Sequence, residues 1–144
     1  MNQAKTKAPV HLWIVGILAV LWNAIGCFDY YATQSKLESY MSQFTPEQLE
    51  YFYAFPVWVD AAWAVAVWGS LLASIGLLLR KAWSVWLFGL AILAMAATSV
   101  YSFVLSDGMA LMGSGAVYFS AVIWAIALFL FFYAQAMAKR RVLL

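Results

Sequence analysis

The side chains with most chemistry to offer are two carboxylates in apolar surroundings, Asp29 near the end of one hydrophobic run and Asp60 one turn inside the next. A carboxylate so placed is costly unless it reaches water, meets a partner or stays protonated, which makes each a candidate for binding something polar. Helical spacing puts Trp22, Gly26 and Asp29 on one face and Asn23, Cys27 and Tyr30 on the neighbouring one. Asn23, Asp29, Asp60 and Tyr101 form the candidate solute-binding set, with Thr98, Ser99, Ser102, Tyr118 and Ser120 at similar depth in the later runs. The opposite halves of the runs offer little beyond Ser70, Ser74 and Ser84. A continuous water path needs polar groups along its whole depth, so the expected pocket is shallow and opens on one side. The same residues also fit plain packing, in which hydroxyls and amides bond helix to helix for about 1 kcal/mol or less each and the carboxylates touch interfacial water.

Catalytic and metal chemistry have few parts to use. His11 is the single histidine and precedes the first run on its basic side, so paired-histidine ligation of zinc or haem and a Ser–His–acid arrangement are both incomplete. Cys27 is alone, which excludes an internal disulfide or a cysteine metal cluster and reads as a small core residue. Gly113-Ser114-Gly115 lacks the strand and lysine of a phosphate loop. The expectation is a chain that is not an enzyme and holds no cofactor or metal.

Composition says where these residues sit. Of 144 residues, 67% are hydrophobic and 10% charged, whereas a soluble domain is about half apolar and a quarter charged. The 8 Trp suit a headgroup boundary, where one edge of the ring stays wet. A net charge of +2, gathered in short clusters beside apolar runs, gives no surface for nucleic acid.

The fold class expected is all-α, a polytopic membrane protein forming one four-helix membrane domain over residues 1–144. Its spans are Val10 to Tyr31, Val57 to Leu79, Trp83 to Leu105, and a fourth starting between Ala110 and Ala116 and ending near Met137, that is about 10–31, 57–79, 83–105 and 112–137. Four crossings place Lys5, Lys7, Arg80, Lys81, Lys139, Arg140 and Arg141 on one side and Glu38, Glu47, Glu50 and Asp107 on the other, with Lys36 the one exception. The positive-inside rule then puts both termini in the cytoplasm. Ala24-Ile25-Gly26-Cys27 has the outline of a degenerate lipobox, but Ala stands where Leu is favoured and Trp22-Asn23 interrupts the apolar stretch, so an uncleaved first helix is expected.

Residues 33–55 are too many for a tight turn and should carry short extracytoplasmic helices. Leu37, Tyr40, Met41 and Phe44 make one apolar stripe, and Thr45-Pro46-Glu47-Gln48 has the signature of a helix start. The aromatic run Tyr51-Phe52-Tyr53-Ala54-Phe55 suits an interfacial anchor or a lid. In the second span Ala62, Ala66, Gly69, Ala73 and Gly76 form a small-residue stripe for close helix contact, and Asp60 lies off it.

The segments Leu21-Trp22-Asn23-Ala24-Ile25-Gly26, Phe28-Asp29-Tyr30, Thr33-Gln34, Phe44-Thr45-Pro46-Glu47-Gln48-Leu49 and Phe55-Pro56-Val57-Trp58-Val59-Asp60-Ala61-Ala62-Trp63 resemble a family of small bacterial inner-membrane proteins, some labelled sugar transporters. The resemblance implies residence in the bacterial inner membrane and a transport role, with no ligand residues to carry over. Two functions are therefore expected to compete. One is transport of a small polar solute, a sugar among the options, by a homo-oligomer, since one four-helix bundle encloses little volume. The other is a non-catalytic accessory whose outer polar face binds a partner subunit. Small multidrug-resistance transporters differ in carrying a Glu within the first span, which is missing here.

Overall fold

The structure, a computed structural model, describes residues 6–144, all of it helix, turn and loop. Lys5, one of the basic residues used above to orient the chain, lies outside the described residues. Seven α-helices follow in order: α1 (Val10–Gln34), α2 (Glu38–Met41), α3 (Pro46–Tyr53), α4 (Val57–Leu78), α5 (Trp83–Val100), α6 (Gly108–Met112) and α7 (Ser114–Lys139). A π-helical turn, Tyr101–Leu105, extends α5. Four helices are long and apolar enough to cross a membrane: α1, α4, α5 with its π-turn, and α7. They match the expected runs, although α1 continues to Gln34 and α7 to Lys139.

The long helices meet in the order α1, α4, α5, α7, with the most extensive packing between α4 and its two neighbours. The register of α1 against α4 is regular. Up α1 and down α4, Gly16 meets Leu78, Asn23 meets Ser70, Cys27 meets Val67, Tyr30 meets Trp63 and Gln34 meets Asp60. Steps of seven, four, three and four along α1 are answered by steps of eight, three, four and three along α4, the spacing of an antiparallel pair with interlocking side chains. Small residues allow the approach: at Gly16 a Cβ would collide with the Leu78 side chain, and at Gly76 with the Trp83 ring. Of the small-residue stripe expected on α4, Ala66, Ala73 and Gly76 are buried and Ala62 and Gly69 half-buried.

The core lies at one end. Leu12 and Ala19 of α1, Ala73 and Leu77 of α4, Phe88 of α5 and Leu130, Ala134 and Met137 of α7 pack with Val142 and Leu143. Basic residues surround this end. Arg80 occupies the left-handed turn after α4 at φ 58° and donates from Nε to Val142 O at 3.0 Å and from its terminal nitrogen to Thr6 O. Thr6 N in turn reaches Arg141 O, and Leu144 N reaches Arg80 O. The first described residues, the α4–α5 turn and the segment after α7 are thereby tied together.

The opposite, acidic end carries α2 and α3. The helix start read from Thr45-Pro46-Glu47-Gln48 is present as a reciprocal cap, with Gln48 N donating to Thr45 Oγ1 and Thr45 N to Gln48 Oε1, both at 3.1 Å. The Leu37–Phe44 stripe yields one helical turn only, Glu38–Met41, because Lys36 turns the chain at φ 55° before it and Ser42–Gln43 leave the helix after it. Part of the stripe faces inward: Met41 is buried and Tyr40 and Phe44 half-buried, whereas Leu37 is exposed. Tyr51 of α3 bonds to Ser106 Oγ at 2.7 Å, and Gln48 donates to Leu111 O, so α3 lies against α6 and the turn that follows the π-helical end of α5.

Candidate functional site

Between the closed basic end and the α2–α3 segment the four long helices diverge around a cavity of about 350 Å³. That is large enough for a small molecule, since ligand pockets start near 300 Å³. Phe88 and Leu130 form its floor, and Trp22, Trp63, Ile92, Met95, Phe119 and Ile123 supply much of its apolar wall. Five polar side chains also line it: Asn23 and Asp29 of α1, Tyr40 of α2, Ser70 of α4 and Thr98 of α5.

Each polar group is fixed by its helix register. Asn23 reaches across to α4, where its amide nitrogen donates to Ser74 Oγ at 2.8 Å and to Ser70 O at 3.4 Å. Ser74 is itself held by Ser70 O. Asp29 sits six residues further along α1, about 9 Å up the helix. Its Oδ1 accepts a 2.5 Å hydrogen bond from the Tyr40 hydroxyl. Burial, and then the hydrogen bond to Asp29 and its charge, push the Tyr40 phenol above the usual tyrosine range. Tyr40 therefore keeps its proton at neutral pH and remains the donor in this pair. Thr98 turns its hydrogen back to Met95 O of its own helix.

The four sequence candidates thus divide into two pairs. Asn23 and Asp29 come together on the cavity wall. Asp60 does not join them: it lies in the first turn of α4, half-buried, where Gln34 Nε2 donates to its Oδ1 at 3.0 Å. A carboxylate there also faces the positive end of the helix dipole, which gives it a folding role. Tyr101 is the hub of an aromatic cluster at the acidic end, stacked on Tyr51 at 6.1 Å and met edge-on by Phe55 and Trp58. It holds α3 against α5, outside the cavity lining.

Tyr40 and Ser70 on the wall were not among the candidates. The i, i+3, i+4 stripe marks Tyr40 as facing inward but not toward Asp29, and Ser70 falls opposite Asn23 only once the α1–α4 register is known. The cavity is also deeper than the shallow outer pocket expected, because Asn23 bonds inward to Ser70 and Ser74. Cys27 donates to Val67 O at 3.3 Å and is buried, as a small core residue would be. His11 meets the Tyr133 hydroxyl at the basic end. Among the described residues no group of three or more His, Cys, Asp or Glu side chains converges as a metal site would require.

The mouth of the cavity faces sideways. Ile25 and Phe119 line it and are nevertheless 66% and 57% exposed, and Trp22 faces Phe119 across the α1–α7 gap with ring centroids 6.2 Å apart. A second, smaller cleft of about 130 Å³ lies between α5 and α7, beside the bond from Trp124 Nε1 to Ser99 Oγ. No protein-family model matches the chain, and no curated protein or solved structure matches it either.

Proposed function

We propose that the chain is an integral membrane protein of the bacterial inner membrane that binds a small solute in the cavity between α1, α4, α5 and α7 and, as a homo-oligomer, moves it across the bilayer. The observation that carries this reading is the cavity itself, closed at the basic end by a packed core and lined by Asn23 and Ser70 at mid-depth and by Asp29 nearer the α2 end. A bundle built only for anchoring has no reason to keep a carboxylate and an amide on the wall of an open space, where neither gains the full benefit of burial or of water. The basic clusters at the closed end support a cytoplasmic location for that end and for both ends of the described chain, and the α2–α3 segment is then extracytoplasmic. The resemblance to small inner-membrane proteins labelled sugar transporters points the same way. The reading assigns no catalysis and no cofactor.

Uptake into proteoliposomes, measured for a panel of labelled sugars, polyols and amines, tests the proposal. Saturable uptake of at least one class, lost when protein is omitted, is expected. The alternative is a non-catalytic accessory that uses the same opening to take up a partner helix between α1 and α7. The wide exposure of Phe119 and Ile25 at that gap favours it. Absence of uptake for every solute, together with co-purification of a stoichiometric membrane subunit, would establish that alternative instead.

A further inference from the structure

The chemistry of the cavity wall restricts what it can hold. Asn23 commits its amide nitrogen to Ser70 O and Ser74 Oγ, Tyr40 commits its hydroxyl hydrogen to Asp29, and Thr98 commits its own to Met95 O. What these groups turn to a ligand is lone pairs: the Asn23 carbonyl, the Asp29 oxygen that Tyr40 leaves free, and the oxygens of Tyr40 and Thr98. The donors left on the wall are the Ser70 hydroxyl and the indole N–H groups of Trp22 and Trp63, none of them charged. Asp29 is the one ionisable carboxylate on the wall, and no Lys, Arg or His lines the cavity beside it. An anionic ligand would meet acceptors and a like charge. A donor, and best a cation, is complementary.

The rest of the wall argues against a ligand that is polar all round. A monosaccharide has several hydroxyls that each need a partner when buried, because an unpaired one costs about 1–3 kcal/mol. Here the acceptors sit at two levels about 9 Å apart along α1, with Trp22, Gly26, Phe119 and Ile123 between and around them. One polar head against Asp29 and an apolar body over those side chains fits better. The sideways mouth at Trp22, Ile25 and Phe119 opens, in the membrane reading, toward lipid, from which an amphiphile can enter without first shedding its apolar body into water.

On these grounds, and resting on the proposed solute-binding role of the cavity, we infer that the cavity binds an amphiphilic primary ammonium compound, its ammonium at Asp29 and its apolar body packed against the cavity side of Trp22, Phe119 and Ile123. Tyr40 is then a positioning residue, whose hydroxyl orients one carboxylate oxygen and leaves the other for the ligand. The ammonium can belong to a free amine or to the headgroup of an aminophospholipid.

The test compares three probes with one apolar body: 2-naphthylethylamine, 2-naphthylethanol and 2-naphthylacetate. Binding to the full chain is measured by equilibrium dialysis in nanodiscs of phosphatidylcholine, with empty nanodiscs subtracted. The amine is expected to bind about tenfold or more tighter than the alcohol, and the acetate most weakly. Asp29→Asn should bring the amine down to the level of the alcohol, and a retained melting temperature shows that the variant is still folded. Tyr40→Phe, which leaves the Asp29 carboxylate unoriented, should weaken amine binding without changing that of the alcohol, and unchanged amine binding would remove the positioning role. Repeating the measurement with one third phosphatidylethanolamine separates the sources: competition assigns the site to the lipid headgroup, and no competition to a free amine, both within the inference. Equal binding of amine and alcohol, or an amine preference that survives Asp29→Asn, overturns it. Binding or uptake of a sugar with no amine binding overturns the ammonium assignment alone, and no binding of any probe or sugar overturns the cavity reading with it.

Discussion

Ala127→Trp is expected to abolish ligand binding and uptake, with roughly a hundredfold loss of affinity or more, while the protein still assembles. Ala127 lies on α7 and lines the cavity between Ile126 and Leu130, above the floor. An indole there occupies space that is open in the native protein, so it gains contacts with Ile92 and Met95 rather than displacing packed atoms. The same substitution two turns further on has the opposite consequence. Ala134 is fully buried in the basic-end core, and Ala134→Trp forces those helices apart, costing at least the 1–3 kcal/mol or so usual for overpacking. Uptake and melting temperature measured on both variants separate the two effects. Unchanged uptake in Ala127→Trp would mean that the solute does not pass through this cavity.

The second large effect is expected at Arg80. Its guanidinium holds the carbonyls of Val142 and Thr6, and its own carbonyl accepts from Leu144 N. The Thr6 contact is exposed, so most of the benefit comes from the Nε bond to Val142, which is partly buried. A charge-assisted bond of that kind contributes about 2 kcal/mol. Arg80→Ala should therefore destabilise the fold by about that amount and expose the segment after α7 to trypsin at Lys139, Arg140 and Arg141. Arg80→Lys keeps the positive charge and loses the planar fork, so it should recover only part of the protection. If Arg80→Ala is cleaved no faster than the native protein, apolar packing of Val142 and Leu143 alone holds the segment.

The extent of each long helix was legible because hydrophobic run length and flanking charge are properties of consecutive residues. Arg80-Lys81 end α4 as read, and the cap at Thr45 and Gln48 forms as its spacing requires. Register was not legible, and the site depends on it. Nothing in the order of residues says that Asn23 stands opposite Ser70 and Ser74, or that Asp60 meets Gln34 instead of the cavity. Asp60 drew attention as an acidic residue inside an apolar run, yet that run begins at Val57 and Asp60 is in its first turn, where a negative charge suits the helix end. Tyr101, expected beside Asn23, Asp29 and Asp60, has its ring packed instead by Tyr51, Phe55 and Trp58, contacts that only the placement of α3 reveals.

All of this rests on four membrane crossings with the closed, basic end in the cytoplasm and the cavity toward the other side. Single cysteines test it directly. In a Cys27→Ser background, Ser35→Cys, Asp107→Cys, Lys81→Cys and Lys139→Cys are each treated in intact cells with a membrane-impermeant maleimide, before and after permeabilisation. The account predicts labelling of the first two in intact cells and of the last two only after permeabilisation. Labelling of Lys81→Cys or Lys139→Cys in intact cells would contradict it.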